Sequence, residues 1–320
     1  MSNNYILSCE STVDLPYEYV SGRGIPVLFY TYSVDGKTYV DDMSRDPDAL
    51  PRFYEMLRGE HLPMTSQVNE VQYEEFFESQ LEKGDLLHIV FSSGLSGSYQ
   101  HAAAAADRVR QRHPERRLAV IDSRCGSSGY GLLMDMAADV RDAGATFDET
   151  VDWVMANRMK IQHHFFSTDL RYFKRSGRLS GPTATLGSIL NICPIMKVDD
   201  LGKIIAYDKV RGKKNAFRRM SDVMVEKADG GVDYSGRCYI NHSNCPDDAA
   251  EMQRVILERF PKVSEVRIYD IGTIIASHCG PNTVAVYFVG EERRPEQKGA
   301  ALRYVTESCR PTLAERTEQI

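Results

Sequence analysis

Two kinds of apolar block alternate along the first half of the chain. Short apolar runs at residues 5–8, 86–91 and 118–121 have the length of strands, and in the second only His88 interrupts the run, as in a strand buried on both faces. Between them lie longer segments that read as helices, at residues 47–57, 71–81, 96–111 (Ala-rich), 128–143 and 147–157. Residues 27–32 read as one further strand after Pro26. Val34-Asp35-Gly36-Lys37 is the turn of a hairpin that returns through residues 38–40. This strand-helix-strand rhythm predicts a mainly parallel sheet with helices on both faces. Ligands of such sheets sit beyond the carboxyl ends of the strands.

The pattern changes near His163. Phe165 and Phe166 suggest a new strand, and Lys174-Arg175-Ser176-Gly177-Arg178 reads as a basic, Gly-broken turn. Residues 193–198 and 203–207 form a hairpin around Asp199-Asp200-Leu201-Gly202. A helix, a strand at 238–240, a helix, and strands at 266–269 and 284–288 follow. The expected fold class is therefore α/β in two domains. Residues 1–162 form the N-terminal domain with the parallel sheet, and residues 163–290 a smaller C-terminal α/β domain. Residues 291–320 form a charged C-terminal extension.

A chain of 320 residues is long enough for two domains and a sizeable core. Its formal net charge of -6 argues against nucleic acid as a partner, which requires a basic footprint. No run approaches the ~20 apolar residues of a membrane span. The first residues lack the basic-then-apolar order of a signal peptide, so a cytoplasmic location is expected. The seven cysteines are odd in number and lack Cys-x-x-Cys spacing, which fits reduced thiols rather than disulfides or a metal site.

Candidate chemistry concentrates in three hydroxyl-rich segments at strand ends: Ser8-Cys9-Glu10-Ser11-Thr12, Met64-Thr65-Ser66-Gln67, and Ser92-Ser93-Gly94-Leu95-Ser96-Gly97-Ser98. The third combines glycines, which permit close backbone approach, with a helix N-terminus that favours an anion. Helix capping alone accounts for many such serines. A nucleophile elbow is absent, because Ser98 stands where Gly-x-Ser-x-Gly requires its last glycine. The Walker and dinucleotide-binding glycine patterns are absent too. His163-His164 is a weak metal hint and is expected at the surface end of an element. His278 lies near the end of a helix that starts near Gly272 and stops at Gly280-Pro281. There it either complements the helix C-terminus or partners a bound anion.

The order and spacing of these pieces resemble the DegV family. The resemblance is carried by Ser11-Thr12-Val13-Asp14-Leu15-Pro16, Thr65-Ser66-Gln67, Ser92 through Gln100, Asp122-Ser123, Lys174 through Arg178, Leu190 through Ile195, Val210-Arg211, and Ile271-Gly272 through His278-Cys279-Gly280-Pro281. It spans nearly the whole chain. Departures are Glu10 for the usual Asp, Ser176 and Asn282 for Gly, Cys279 for a common Thr, and the tail after Gly290.

The resemblance implies a fatty-acid-binding protein, with no cofactor and no metal, that presents a long-chain fatty acid to a separate fatty-acid kinase catalytic subunit. By the same resemblance it would not be a catalyst by itself, and transient membrane contact is a further expectation. The ligand tunnel would lie between the domains. The carboxylate would be held by Thr65 and Ser93, with Ser66, Ser92 and Ser96 close by and His278 completing the site. Arg178 and Arg211 would contact the kinase or the phosphate. Tunnel walls are expected among Phe29, Tyr30, Phe91, Leu132, Leu133, Phe165, Leu186, Ile189, Leu190 and Ile195. The alternatives are a serine-dependent esterase or acyl-transferase, using Ser93 or Ser96 with His278 as base and Asp122 or Glu10 to orient it, and a lipid sensor without turnover.

Overall fold

The computed structural model describes residues 5–59, 61–180 and 191–295. In chain order its elements are β1 (Tyr5–Glu10), α1 (Tyr17–Gly22), β2 (Val27–Leu28), β3 (Thr31–Val34), β4 (Lys37–Val40), α2 (Ala49–Arg58), β5 (Met64–Ser66) and α3 (Glu70–Leu81). β6 (Asp85–Val90), α4 (Ser98–Arg112), β7 (Leu118–Asp122), α5 (Ser127–Asp142) and α6 (Phe147–Asn157) follow. Then come β8 (Ile161–Ser167), α7 (Arg171–Ser176), β9 (Leu179–Ser180), β10 (Ile192–Val198), β11 (Ile204–Arg211) and α8 (Lys213–Lys227). The last are β12 (Arg237–His242), α9 (Pro246–Arg259), β13 (Glu265–Asp270), α10 (Thr273–Cys279) and β14 (Thr283–Val289).

Among the described residues these strands make three sheets. A parallel sheet has the order β2-β1-β6-β7, a seven-stranded mixed sheet the order β13-β12-β14-β8-β10-β11-β9, and a small antiparallel sheet the order β4-β3-β5. β6 is buried from Leu86 to Val90. His88 is tolerated there because Nδ1 lies 2.7 Å from Ser8 Oγ and the ring packs edge-on to Tyr73 and Phe77.

The seven-stranded sheet is covered on both faces, and strand alternation sorts its side chains between two cores. Phe165, Ala285 and Tyr287 point into the core shared with the parallel-sheet layer. Their neighbours Phe166, Val284, Val286 and Phe288 join the core under α8 and α9. The cavity described below lies on the first of these faces.

Three expectations change. The strand expected at residues 27–32 is two strands in different sheets. Its break turns Tyr30 inward, where its N–H donates to Ser11 Oγ (3.1 Å) and its hydroxyl to Glu10 Oε2 (3.2 Å). The basic run at 174–178 is the last turn of α7, closed by Gly177 in the left-handed region at φ 67° rather than a free turn. His163 and His164 lie inside β8, 2% and 3% exposed, and not at a surface end. They are burial-compatible because each imidazole has a partner: Ile161 O for His163 Nδ1 and the Tyr207 hydroxyl for His164 Nδ1, both at 2.9 Å.

The division expected at residue 162 falls within β8, which begins at Ile161. The first residues of the expected C-terminal extension are packed. Arg293 is 8% exposed and donates to Asp199 O (2.7 Å) and Arg158 O (3.1 Å). Residues 296–320 lie outside the described residues.

Candidate functional site

A cavity opens between the parallel-sheet layer, the small sheet and the inner face of the seven-stranded sheet. It holds about 1000 Å³ of space between atoms, its mouth included. Its wall is mainly apolar, with Phe91 and Leu95 from one side, Phe165 and Phe173 from another, and Ile274 and Ile275 from α10.

Part of the polar lining is formed by the expected site residues and their neighbours. Thr65 and Ser66 come from β5, which the small sheet pairs with β3 so that Tyr32 faces Thr65. Ser96 comes from the loop between β6 and α4, where its Oγ lies 2.9 Å from Ser98 Oγ and accepts from Ser98 N (3.2 Å). Gln67 closes against the same loop. A Cβ on Gly97 would stand 2.6 Å from Gln67 Oε1, so the Gln67 side chain would have to shift. Arg178 follows the Gly177 cap, and His278 sits in the last turn of α10.

Thr65 and His278, 213 residues apart, meet with Oγ1 and Nε2 at 2.9 Å. Burial, with the Arg178 and Arg175 guanidiniums adding to it, lowers the His278 pKa to about 4. The imidazole is therefore neutral at pH 7, and its Nε2 can exchange a hydrogen bond with the hydroxyl. The arrangement offers an acid two neutral hydrogen-bonding groups, a serine hydroxyl and a guanidinium at the edge of an apolar chamber.

The structure separates the expected site residues. Thr65, Ser66, Ser96, Arg178 and His278 line one cavity. Ser92 and Ser93 are not among its lining residues. Ser92 is fully buried and its hydroxyl donates to Gly202 O (2.9 Å), which docks the β10–β11 turn onto this loop. The Ser93 hydroxyl and N–H donate to the two carboxylate oxygens of Asp122, at 2.6 and 3.1 Å. Arg211 stands at the end of β11, paired with Ile192 and outside the cavity. Of the expected wall residues Tyr30, Phe91 and Phe165 line the cavity. Leu132 and Leu133 are core, Ile195 belongs to the core under α8 and α9, and Phe29 stacks on Arg45. Leu186, Ile189 and Leu190 lie outside the described residues.

The geometry does not assemble the esterase alternative. The base candidate His278 bonds a threonine rather than Ser93 or Ser96, and Asp122 binds Ser93 directly with no histidine between them. Glu10 is fully buried and receives hydrogen bonds from the hydroxyls of Tyr30 and Tyr73 and from Phe91 N (2.9 Å). Among the described residues, no group of three or more His, Cys, Asp or Glu is placed to hold a metal ion, and no helix is long and apolar enough to cross a membrane.

Sequence reasoning missed Gln67, Ser127, His163, Phe173, Ile274 and Tyr287 as cavity residues. For His163 and Tyr287 the signal was the two-residue alternation of β8 and β14, which places them on the face of Phe165 and Ala285.

The model of the DegV family matches residues 7–291. The chain belongs to the DegV family. A DegV domain-containing protein of Clostridium perfringens is 32% identical over 293 residues, covering 91% of this chain and 99% of the relative. Among solved structures, a DegV-family protein of Thermus thermophilus described by its fatty-acid binding superposes with a TM-score of 0.79 at 25% identity, over 90% of this chain and 100% of that one. A fatty-acid kinase B3 protein of Streptococcus pneumoniae, loaded with linoleic acid, has the same fold, with a TM-score of 0.76 at 22% identity over 91% and 100% of the two chains. The mixed α/β architecture is thus that of DegV structures.

Proposed function

We propose that this DegV protein binds one long-chain fatty acid in the cavity and presents its carboxylate to a separate kinase for acyl-phosphate formation, without being a catalyst by itself. The observation that carries the reading is the hydrogen-bonded pair Thr65–His278 in a mainly apolar cavity, with the Arg178 guanidinium near His278 and Ser96 on the same cavity wall. An ionised carboxylate leaving water must regain hydrogen bonds. Hydroxyl donors and a guanidinium return them as charge-assisted bonds. Each methylene placed in the apolar part contributes about 0.8 kcal/mol. Ser66 lies beside Thr65 on the same strand end. The fatty acids of the Thermus and Streptococcus proteins support the ligand class, and the kinase system of the latter supports the partner.

In this reading Ser92 and Ser93 act at one remove, by holding the loop that carries Ser96. Arg178 steadies the acid or the incoming phosphate. Arg211 is left as a surface residue on another part of the molecule. The test is mass spectrometry of an organic extract of the denatured protein. A fatty acid at near one per chain is the expected result. An extract that stays empty after incubation with mixed fatty acids overturns the reading.

A further inference from the structure

The polar edge at Thr65 and His278 is one of two polar regions in the cavity. The other is built by Ser127 at the start of α5, His163 on β8 and Tyr287 on β14, all lining residues and all less than a tenth exposed. His163 and Tyr287 are direct partners across the antiparallel β8–β14 pair, with ring centroids 5.3 Å apart. Thr283, beside the C-terminal end of α10, lies four residues earlier on β14, which is about 14 Å along a strand. This second region therefore lies about 14 Å along β14 from the strand end that follows α10. A chamber for a plain alkyl chain has no use for polar groups at that depth, since each costs free energy when an apolar chain covers it.

The hydrogen bonds at this rung define what is missing. His163 donates from Nδ1 to Ile161 O (2.9 Å), so Nε2 carries the lone pair. Burial holds this pKa well below its ordinary value and keeps the ring neutral. Among the described residues, Nε2 receives one long contact, from Gly126 N at 3.3 Å. The Ser127 hydroxyl stands against Tyr287, but it gives its own proton to Asp14. The Tyr287 oxygen thus receives no hydrogen from Ser127. Burial raises Tyr287, which stays a neutral phenol able to give one hydrogen bond and accept others.

Resting on the carrier reading above, we propose that the cavity selects an acyl chain bearing a hydroxyl along its length, which seats at the His163–Tyr287 rung. A hydroxyl both gives and accepts, so it can donate to Tyr287 Oη or His163 Nε2 and receive the phenolic proton. A keto oxygen can only accept. A second carboxylate would have to be buried against a neutral imidazole and a neutral phenol, which costs far more than burying a hydroxyl. Gly129 is part of this construction: a Cβ there would fall 2.2 Å from His163 Nε2 and 2.7 Å from the Tyr287 ring.

The experiment measures dissociation constants for octadecanoic acid, its isomers with one hydroxyl moved along the chain, and the matching oxo-acids, in wild type and in Tyr287→Phe. Tyr287→Phe removes only the phenolic oxygen. One hydroxyl position is expected to bind about tenfold more tightly than octadecanoic acid, the size of one well-made hydrogen bond. The matching oxo-acid should gain less, and the preference should vanish in Tyr287→Phe. Hydroxylated chains that all bind no better than octadecanoic acid overturn the proposal and leave the carrier reading standing. A preference that survives in Tyr287→Phe overturns the assigned rung. If none of the acids binds, octadecanoic acid included, the carrier reading fails and this inference with it.

Discussion

His278 Nε2 and Thr65 Oγ1 lie 2.9 Å apart in the wall of the cavity, one on the last turn of α10 and one on a three-residue strand. Each is the other's hydrogen-bond partner, and a carboxylate seated beside them would take over both. Thr65→Val keeps the branched shape and removes the hydroxyl. Fatty-acid affinity should fall roughly ten- to hundredfold, the value of a hydrogen bond to a charged group at about 1.5–3 kcal/mol. Competitive binding with a fluorescent fatty acid measures this. An unchanged constant would remove Thr65 from the head-group site.

Ser93 and Ser96 make a sharper contrast, since they share a loop and a chemistry. Ser96 lines the cavity, whereas Ser93 is committed to Asp122. Ser96→Ala should therefore weaken retention of the acid more than Ser93→Ala does. Ser93→Ala should instead lower stability by about 1–3 kcal/mol, because it leaves a buried carboxylate short of a donor. Urea melts and ligand-binding constants on the two variants separate the effects. The reverse ranking in binding would return Ser93 to the site.

The pH dependence of binding follows from His278. Its folded pKa is lowered from 6.5 to about 4, so between these values the unfolded chain binds more protons than the folded one. The group's contribution to stability is therefore lost as pH falls through that window. A carboxylate beside the imidazole raises its pKa, so binding takes up a proton there. Affinity should be higher at pH 5.5 than at pH 7.5, and calorimetry in buffers of different ionisation heat should show proton uptake. His278→Gln should abolish both. A pH-independent affinity in wild type would mean that the acid and the imidazole do not share a site.

What could be read from the sequence divides along physical lines. Apolar runs such as residues 86–91 and the helix stop at Gly280-Pro281 are local signals, and the elements stand where those signals place them. The choice between Ser93 and Ser96 was not readable, because contacts from Asp122 and from the Gly202 turn set that loop's conformation. Arg293 is the extreme case. A charged residue in a charged tail reads as solvated, yet backbone carbonyls of Asp199 and Arg158 hold its guanidinium in the interior. Such carbonyls leave no trace in the identity of the residues that carry them.

That placement makes Arg293 a test of the tail's role in stability. It joins the turn after β10 to the segment before β8, next to the places where Ser92 and Arg124 also donate to that turn, at Gly202 O (2.9 Å) and Leu201 O (2.7 Å). Arg293→Met fills most of the volume but leaves two buried carbonyls without these donors. Unfolding free energy should drop by about 2–3 kcal/mol. A variant as stable as wild type in urea would show that the Arg293 hydrogen bonds are dispensable for the fold.

Asp41 carries the opposite pH sign to His278. It is 2% exposed; burial raises its pKa to about 6, against hydrogen bonds from Ser11 and Thr273 that lower it. Thr273 Oγ1 donates to its Oδ1 at 2.8 Å, tying the residue to the first turn of α10. Asp14, its buried neighbour, is raised in the same direction, chiefly by burial. A raised folded pKa means that the native protein binds more protons than the unfolded chain between 3.8 and about 6. Stability from this group is present below that window and is lost as pH rises through it. Asp41→Asn keeps an oxygen for Thr273 and removes the titration. The variant should lose less stability than wild type between pH 4 and pH 6.5, by roughly 1–3 kcal/mol. Because His278 slopes the other way over nearly the same range, the comparison is made as the difference between variant and wild type at each pH. Parallel curves for the two proteins would show that Asp41 does not titrate in the folded state over this range.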